Sequence, residues 1–238
     1  MRRLVVALAA AACSRSPEAA PAPRPPADAR VRADAAAPDA SSLAIVDAPM
    51  AWSDERAQLT LDYRRQHSDP NATDLAIAPT AIVLHYTSGG SAKGTRAYFD
   101  NVRIEASRKE LAKAGLVNVS SHFVVDRDGT IYRLQPETRF ARHCIGLNHL
   151  AIGIENVGDE DRWPLTDAQV HADAALVRDL ARRFPITHLL GHHEVMALAG
   201  KSPLYVERDP AYRNDKPDPG KAFMAKVRAE VGDLKLSP

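Results

Sequence analysis

Short apolar runs rich in β-branched residues, separated by helical stretches, leave few architectures open to residues 78–238. "TAIVLHYT" reads as a buried strand, and "SSHFVVDRDGTIYRLQ" as two strands joined through Asp128-Gly129, a strong hairpin signal. "LAIGIENVG" and "ITHLL" supply two more strands. Between them, "GGSAKGTRAYFDNVRIEASRKELAKAG" reads as mostly helical, with a stop at Gly115. "LTDAQVHADAALVRDLARRF" is the clearest helix. Thr166 and Gln169 have capping-box spacing, and Val170, Val177, Leu180 and Phe184 recur at helical intervals. A last helix, "GKAFMAKVRAEVG", opens after Pro219-Gly220. Strands interleaved with helices predict an α/β fold with a mixed central β-sheet flanked by helices.

The residues before this domain divide by composition. "MRRLVVALAAAACS" has two arginines, an apolar run too short to span a bilayer, and small residues before Cys13, the pattern of an export signal. Cys13 resembles the lipidated cysteine of a bacterial lipobox, with Ala10 where such sequences usually carry leucine. The expected organisation is a signal and lipobox over 1–13 and a disordered Pro/Ala-rich tether over 14–40. A helical segment over 41–77, with Ser53 as N-cap, then leads into a domain over 78–238. This organisation predicts an exported chain, periplasmic or in the cell envelope, lipid-anchored at Cys13. The only other cysteine is Cys144, so an acylated Cys13 leaves no intrachain disulfide. Lys plus Arg number 31 against 30 Asp plus Glu, which gives no electrostatic footprint for nucleic acid.

Chemistry concentrates at strand ends. His85 closes the first strand and His192 follows the last, so neighbouring strands would bring both imidazoles to one sheet edge. Asp218 lies in the turn "NDKPDPG", with Lys216 two residues before it. Two imidazoles and a carboxylate, with a fourth position left to water, form a catalytic zinc set. A lone strand-end histidine is nonetheless more often a hydrogen-bonded structural residue than a ligand. "LLGHHEV" also imitates a zinc-protease helix, but that motif needs a histidine three residues after Glu194, where this chain has Ala197.

Five segments, "IVLHYT", "SSHFVVDRDGTIYRL", "RHCIGLNHLAIGIENVG", "LLGHHEV" and "DKPDPGKAF", occur in the order seen in the zinc-dependent N-acetylmuramoyl-L-alanine amidases. Over residues 78–223 the chain resembles that family, which shares its fold with peptidoglycan recognition proteins and T7 lysozyme. The resemblance implies His85, His192 and Asp218 as ligands of one zinc ion. It implies Glu155 as general base and Lys216 as the group facing the oxyanion, with His143 and Asn148 bordering the substrate groove. The implied partner is peptidoglycan or a muropeptide, cut between N-acetylmuramic acid and L-alanine. A recognition module without hydrolysis is the alternative that the same fold allows. Ser121 stands where the T7 lysozyme branch has a tyrosine before His122, so that hydroxyl contribution is absent. Cys144 beside His143 is expected to be a buried, inert thiol, because neighbours on an extended segment face opposite ways.

Overall fold

Among the described residues, six strands form one sheet: β1 (Ile45–Asp47), β2 (Ala81–Tyr86), β3 (Phe123–Val125), β4 (Ile131–Arg133), β5 (Ala151–Asn156) and β6 (His188–Gly191). The computed structural model describes residues 43–238, so Cys13 and the 14–40 segment lie outside the described residues. Strand order is β1-β4-β3-β5-β2-β6. Only the β3–β4 hairpin is antiparallel; every other pairing is parallel. This is the mixed α/β sheet that the strand–helix alternation implied.

Among the described residues, six α-helices accompany the sheet: α1 (Asp54–His67), α2 (Ala92–Asp100), α3 (Lys109–Lys113), α4 (Asp167–Arg183), α5 (His192–Val195) and α6 (Lys221–Glu230). Thr166 and Gln169 exchange both capping-box bonds at the start of α4. The stretch read as mostly helical before Gly115 is broken in two. Around the β-branched Val102 and Ile104 the chain extends, with Ile104 and Asn118 donating backbone N–H groups to Leu116 and Val102. β1 carried no signal in the sequence, since three residues are too few to show a period. It is held by its parallel register with β4, Ile45 opposite Ile131.

Helix α1 has little apolar stripe and docks by another device. Arg56 is 1% exposed, and its Nη2 donates to the carbonyls of Phe99 and Asn101 at 2.6 and 2.8 Å. Those two bonds offset part of the cost of burying the guanidinium, whose Nε has no partner among the described residues.

The two faces of the sheet are unlike. Ile82, Leu84, Ile152 and Ile154 pack with Leu176, Val177 and Leu180 of α4 and Met224 and Val227 of α6. Their alternates Ala81, Val83 and Ala151 pack with Cys144, Leu147 and Val195. With a side-chain period of two, His85 continues the Val83 side, away from α4 and α6.

Candidate metal centre

Register alone assembles most of the site. In the β2–β5 pairing His85 lies opposite Glu155, and in the β2–β6 pairing Leu84 lies opposite Gly191, the residue before His192. Three adjacent parallel strands therefore end on Glu155, His85 and His192 in a row. Asp218 reaches them from the turn before α6, fixed where the His193 N–H donates to its carbonyl at 2.9 Å.

His85 Nδ1, His192 Nδ1 and Asp218 Oδ2 form a triangle of 3.0, 3.1 and 3.1 Å. All three residues are buried. The proton on His85 is fixed from behind. His143 Nε2 lies 3.1 Å from the Ala151 carbonyl, which only accepts, so that nitrogen carries the proton. His143 Nδ1 then accepts from His85 Nε2 at 3.0 Å, which leaves His85 Nδ1 with its lone pair facing the triangle. Gly153 permits this stack, because a Cβ there would lie 2.7 Å from the His143 ring. Acceptor atoms converging from two imidazoles and a carboxylate, one held as the ligating tautomer by an outer hydrogen bond, fit a divalent metal.

The electrostatics agree with that fit. Burial, and then the neighbouring His192, push His85 down to about 4, so it is a neutral imidazole at pH 7. Burial alone would raise Asp218, but the contact with His192 outweighs it and holds the carboxyl well below the usual range. Glu155 behaves oppositely. Burial first, and then the Asp218 charge, push its carboxyl well above the ordinary value, against the opposing pull of Lys216 and Arg108. Its Oε2 is buried without a hydrogen-bond partner among the described residues.

His85, Glu155, His192, Lys216 and Asp218 share the wall of one cavity of about 480 Å³. His143 and Asn148 line it too, with both ring nitrogens of His143 and the Asn148 Oδ1 already engaged. Asn148 Oδ1 accepts from the backbone N–H groups of His143 and Cys144 at 2.9 and 2.7 Å. That pair of hydrogen bonds shapes residues 142–149 into turns rather than the extended segment assumed from sequence. Cys144 is buried all the same, and burial pushes its thiol well up, away from a nucleophilic thiolate.

The remaining histidines and acids of the motifs serve the framework. His193 Nδ1 lies 3.2 Å from the Asp218 carbonyl. Glu194 accepts from the Gly191 N–H at 2.8 Å and from both terminal nitrogens of Arg228 at 2.8 and 2.6 Å, tying α5 to α6. His122 bridges the Arg139 carbonyl and the Gly153 N–H, and burial lowers it to about 4. Two features near the site escaped the sequence reading. Arg108 reaches the cavity from the start of α3, where nothing in its surroundings marks it. Asp173 contacts Asn156 behind β5, and its signal was an acid placed between Val170 and Val177 on the apolar face of α4.

A family model described as N-acetylmuramoyl-L-alanine amidase matches residues 75–221, more than half of the chain, and the chain belongs to that family. Among curated relatives, the endolysin of Escherichia phage T7 is 31% identical over 100 residues, covering 40% of this chain. This chain thus spans 66% of that endolysin's length. Peptidoglycan-recognition protein SC2 of Drosophila simulans is 26% identical over 132 residues, 54% of this chain and 71% of the relative. The solved endolysin amidase LysCS of Clostridium intestinale superposes with a TM-score of 0.52 at 22% identity, over 79% of this chain and 95% of that one. That likeness bears on the fold alone.

Proposed function

We propose that this domain hydrolyses the amide between N-acetylmuramic acid and the L-alanine of a peptidoglycan stem peptide, with zinc held by His85, His192 and Asp218. One observation carries the reading: a buried triangle of metal-ligating atoms shares a cavity with Glu155, whose carboxyl oxygen has no partner, and with Lys216. Zinc in such a set supplies Lewis acidity, lowering the pKa of water toward about 7 and polarising a carbonyl. Glu155 takes the proton that the attacking water loses and passes it to the leaving amine nitrogen. Burial raises its carboxyl from the ordinary value, the direction that strengthens it as a proton acceptor. The Lys216 ammonium faces the amide oxygen where negative charge accumulates. The N-terminal segment completes the proposal: an export signal ending at a lipidated Cys13 would hold the domain at the cell envelope, where its substrate lies.

The deciding experiment measures zinc per chain and, by mass spectrometry, peptide released from purified muropeptides. One zinc per chain and peptides beginning with L-alanine are expected. Zinc without cleavage would assign the domain to recognition alone, and a chain that takes up no zinc would overturn the metal centre. His143→Ala should weaken zinc about 10- to 100-fold, because it frees the outer nitrogen of His85. Competition with a chelating dye reads that shift, and an unchanged affinity would mean that His143 does not orient the ligand.

A further inference from the structure

Three cationic side chains among the described residues line the cavity, Lys216, Arg142 and Arg108, and each is engaged differently. Arg142 is buried, and its terminal nitrogens donate to the carbonyls of Gly115, Val117 and Leu111 and to the Tyr212 hydroxyl, at 2.6–3.0 Å. Its charge holds loops together with both terminal nitrogens spent, and the remaining Nε is buried without a partner among the described residues. Lys216 sits two residues from Asp218 and belongs to the reaction centre.

Arg108 is the exception. Its side chain is 36% exposed, and Nη1 donates to the Tyr98 hydroxyl at 2.8 Å. Tyr98 in turn donates to Glu105 at 2.9 Å, so the phenol is locked and aims the guanidinium. The Glu105 carboxylate forms a half-exposed ion pair with Arg108 Nε at 3.9 Å, beyond hydrogen-bond range, so Nε and Nη2 keep their donors. A guanidinium braced at one corner, with its other donors unspent, is preorganised to take a carboxylate in a two-pronged contact. Arg108 lines the same cavity as Glu155, Lys216 and the three residues proposed to hold the metal, and it keeps unspent donors outside that cluster.

We propose that Arg108, aimed by Tyr98, binds a carboxylate on the peptide side of the scissile amide and so determines which substrates are accepted. The side follows from chemistry. In an N-acetylmuramoyl peptide the lactyl carboxyl is consumed in the amide, so the sugar half is uncharged and the peptide half carries the acids. The identity of this ligand rests on the amidase reading above; the anion preference itself does not.

The test uses N-acetylmuramoyl-L-alanyl-D-glutamate, its α-carboxamide and its γ-carboxamide. Calorimetric binding is measured in a Glu155→Gln background, so that turnover does not consume the ligand. The diacid should bind roughly 10- to 100-fold tighter than one of the two amides, which identifies the carboxylate read. Adding Arg108→Ala should remove that preference, and Arg108→Lys should restore only part of it, since lysine keeps the charge without the fork. In turnover by the otherwise wild-type chain, Arg108→Ala should raise KM for the diacid and leave kcat within a few-fold. Equal binding of all three ligands by the Arg108-intact protein, or equal loss for all three on substitution, would overturn the proposal. If the wild-type chain binds the diacid selectively but cleaves nothing, the amidase reading fails while the anion subsite stands.

Discussion

Glu155→Gln should lower kcat for muropeptide hydrolysis by about 10²- to 10⁴-fold, with bound zinc and KM nearly unchanged. The substitution keeps the shape and hydrogen-bonding capacity of the side chain and removes its ability to take a proton. Glu155 touches none of the metal-ligating atoms by hydrogen bond, so the metal centre should survive it. Steady-state kinetics on a defined muropeptide, with zinc measured on the same preparation, separate the two effects. A variant that keeps wild-type kcat would remove Glu155 from the reaction. A variant that loses zinc would make it a structural support of the metal site.

The second large effect lies behind the sheet. Asp173 is fully buried on α4, and its Oδ2 accepts from Asn156 Nδ2 at 2.9 Å. Its other oxygen and the Asn156 carbonyl oxygen are both buried without a partner. One proton on Asp173 can bridge such a pair, and burial pushes that carboxyl up to about 7. The native pKa is thus raised above the unfolded value of about 3.9. The stabilising contribution is complete below about pH 4 and is lost as pH rises through about 7. Asp173→Asn stays neutral and can both donate to and accept from Asn156. Relative to wild type, the variant should therefore gain stability as pH rises from 5 to 9, by a few kcal/mol. Urea unfolding at both pH values gives the difference, in which the other titrating groups cancel. Parallel pH profiles for the two proteins would show that Asp173 is already ionised in the native state. Because Asn156 also donates to the His85 carbonyl at 3.3 Å, this pair helps hold the strand that carries His85.

Much of the fold could be read from the chain because its signals are local. The apolar, β-branched run of "TAIVLHYT", the Asp128-Gly129 turn and the Thr166–Gln169 cap each act within a few residues, and all three appear where they were read. Signals failed where partners are distant. β1 exists only because β4 offers it a ladder, and the stretch after Asp100 extends because residues 116–118 pair with it. Adjacency of His143 and Cys144 also misled, since Asn148 folds that segment into a turn.

By itself, the sequence determined which residue types could do chemistry here and in what order they occur along the chain. It placed His85 and His192 at strand ends and Asp218 in a Pro/Gly-rich turn, since strand ends and turns follow from local propensity and backbone geometry. Tertiary structure decided everything that depends on distance. The parallel β5-β2-β6 register brings Glu155, His85 and His192 side by side, although 107 positions separate the two histidines. His143 holds one tautomer of His85 through a contact that Gly153 leaves room for. Burial raises Glu155 and Asp173, and the bracing of Tyr98 turns Arg108 toward the cavity. Local preferences are set within a few bonds of each residue, whereas desolvation and convergence arise only when distant segments exclude water together.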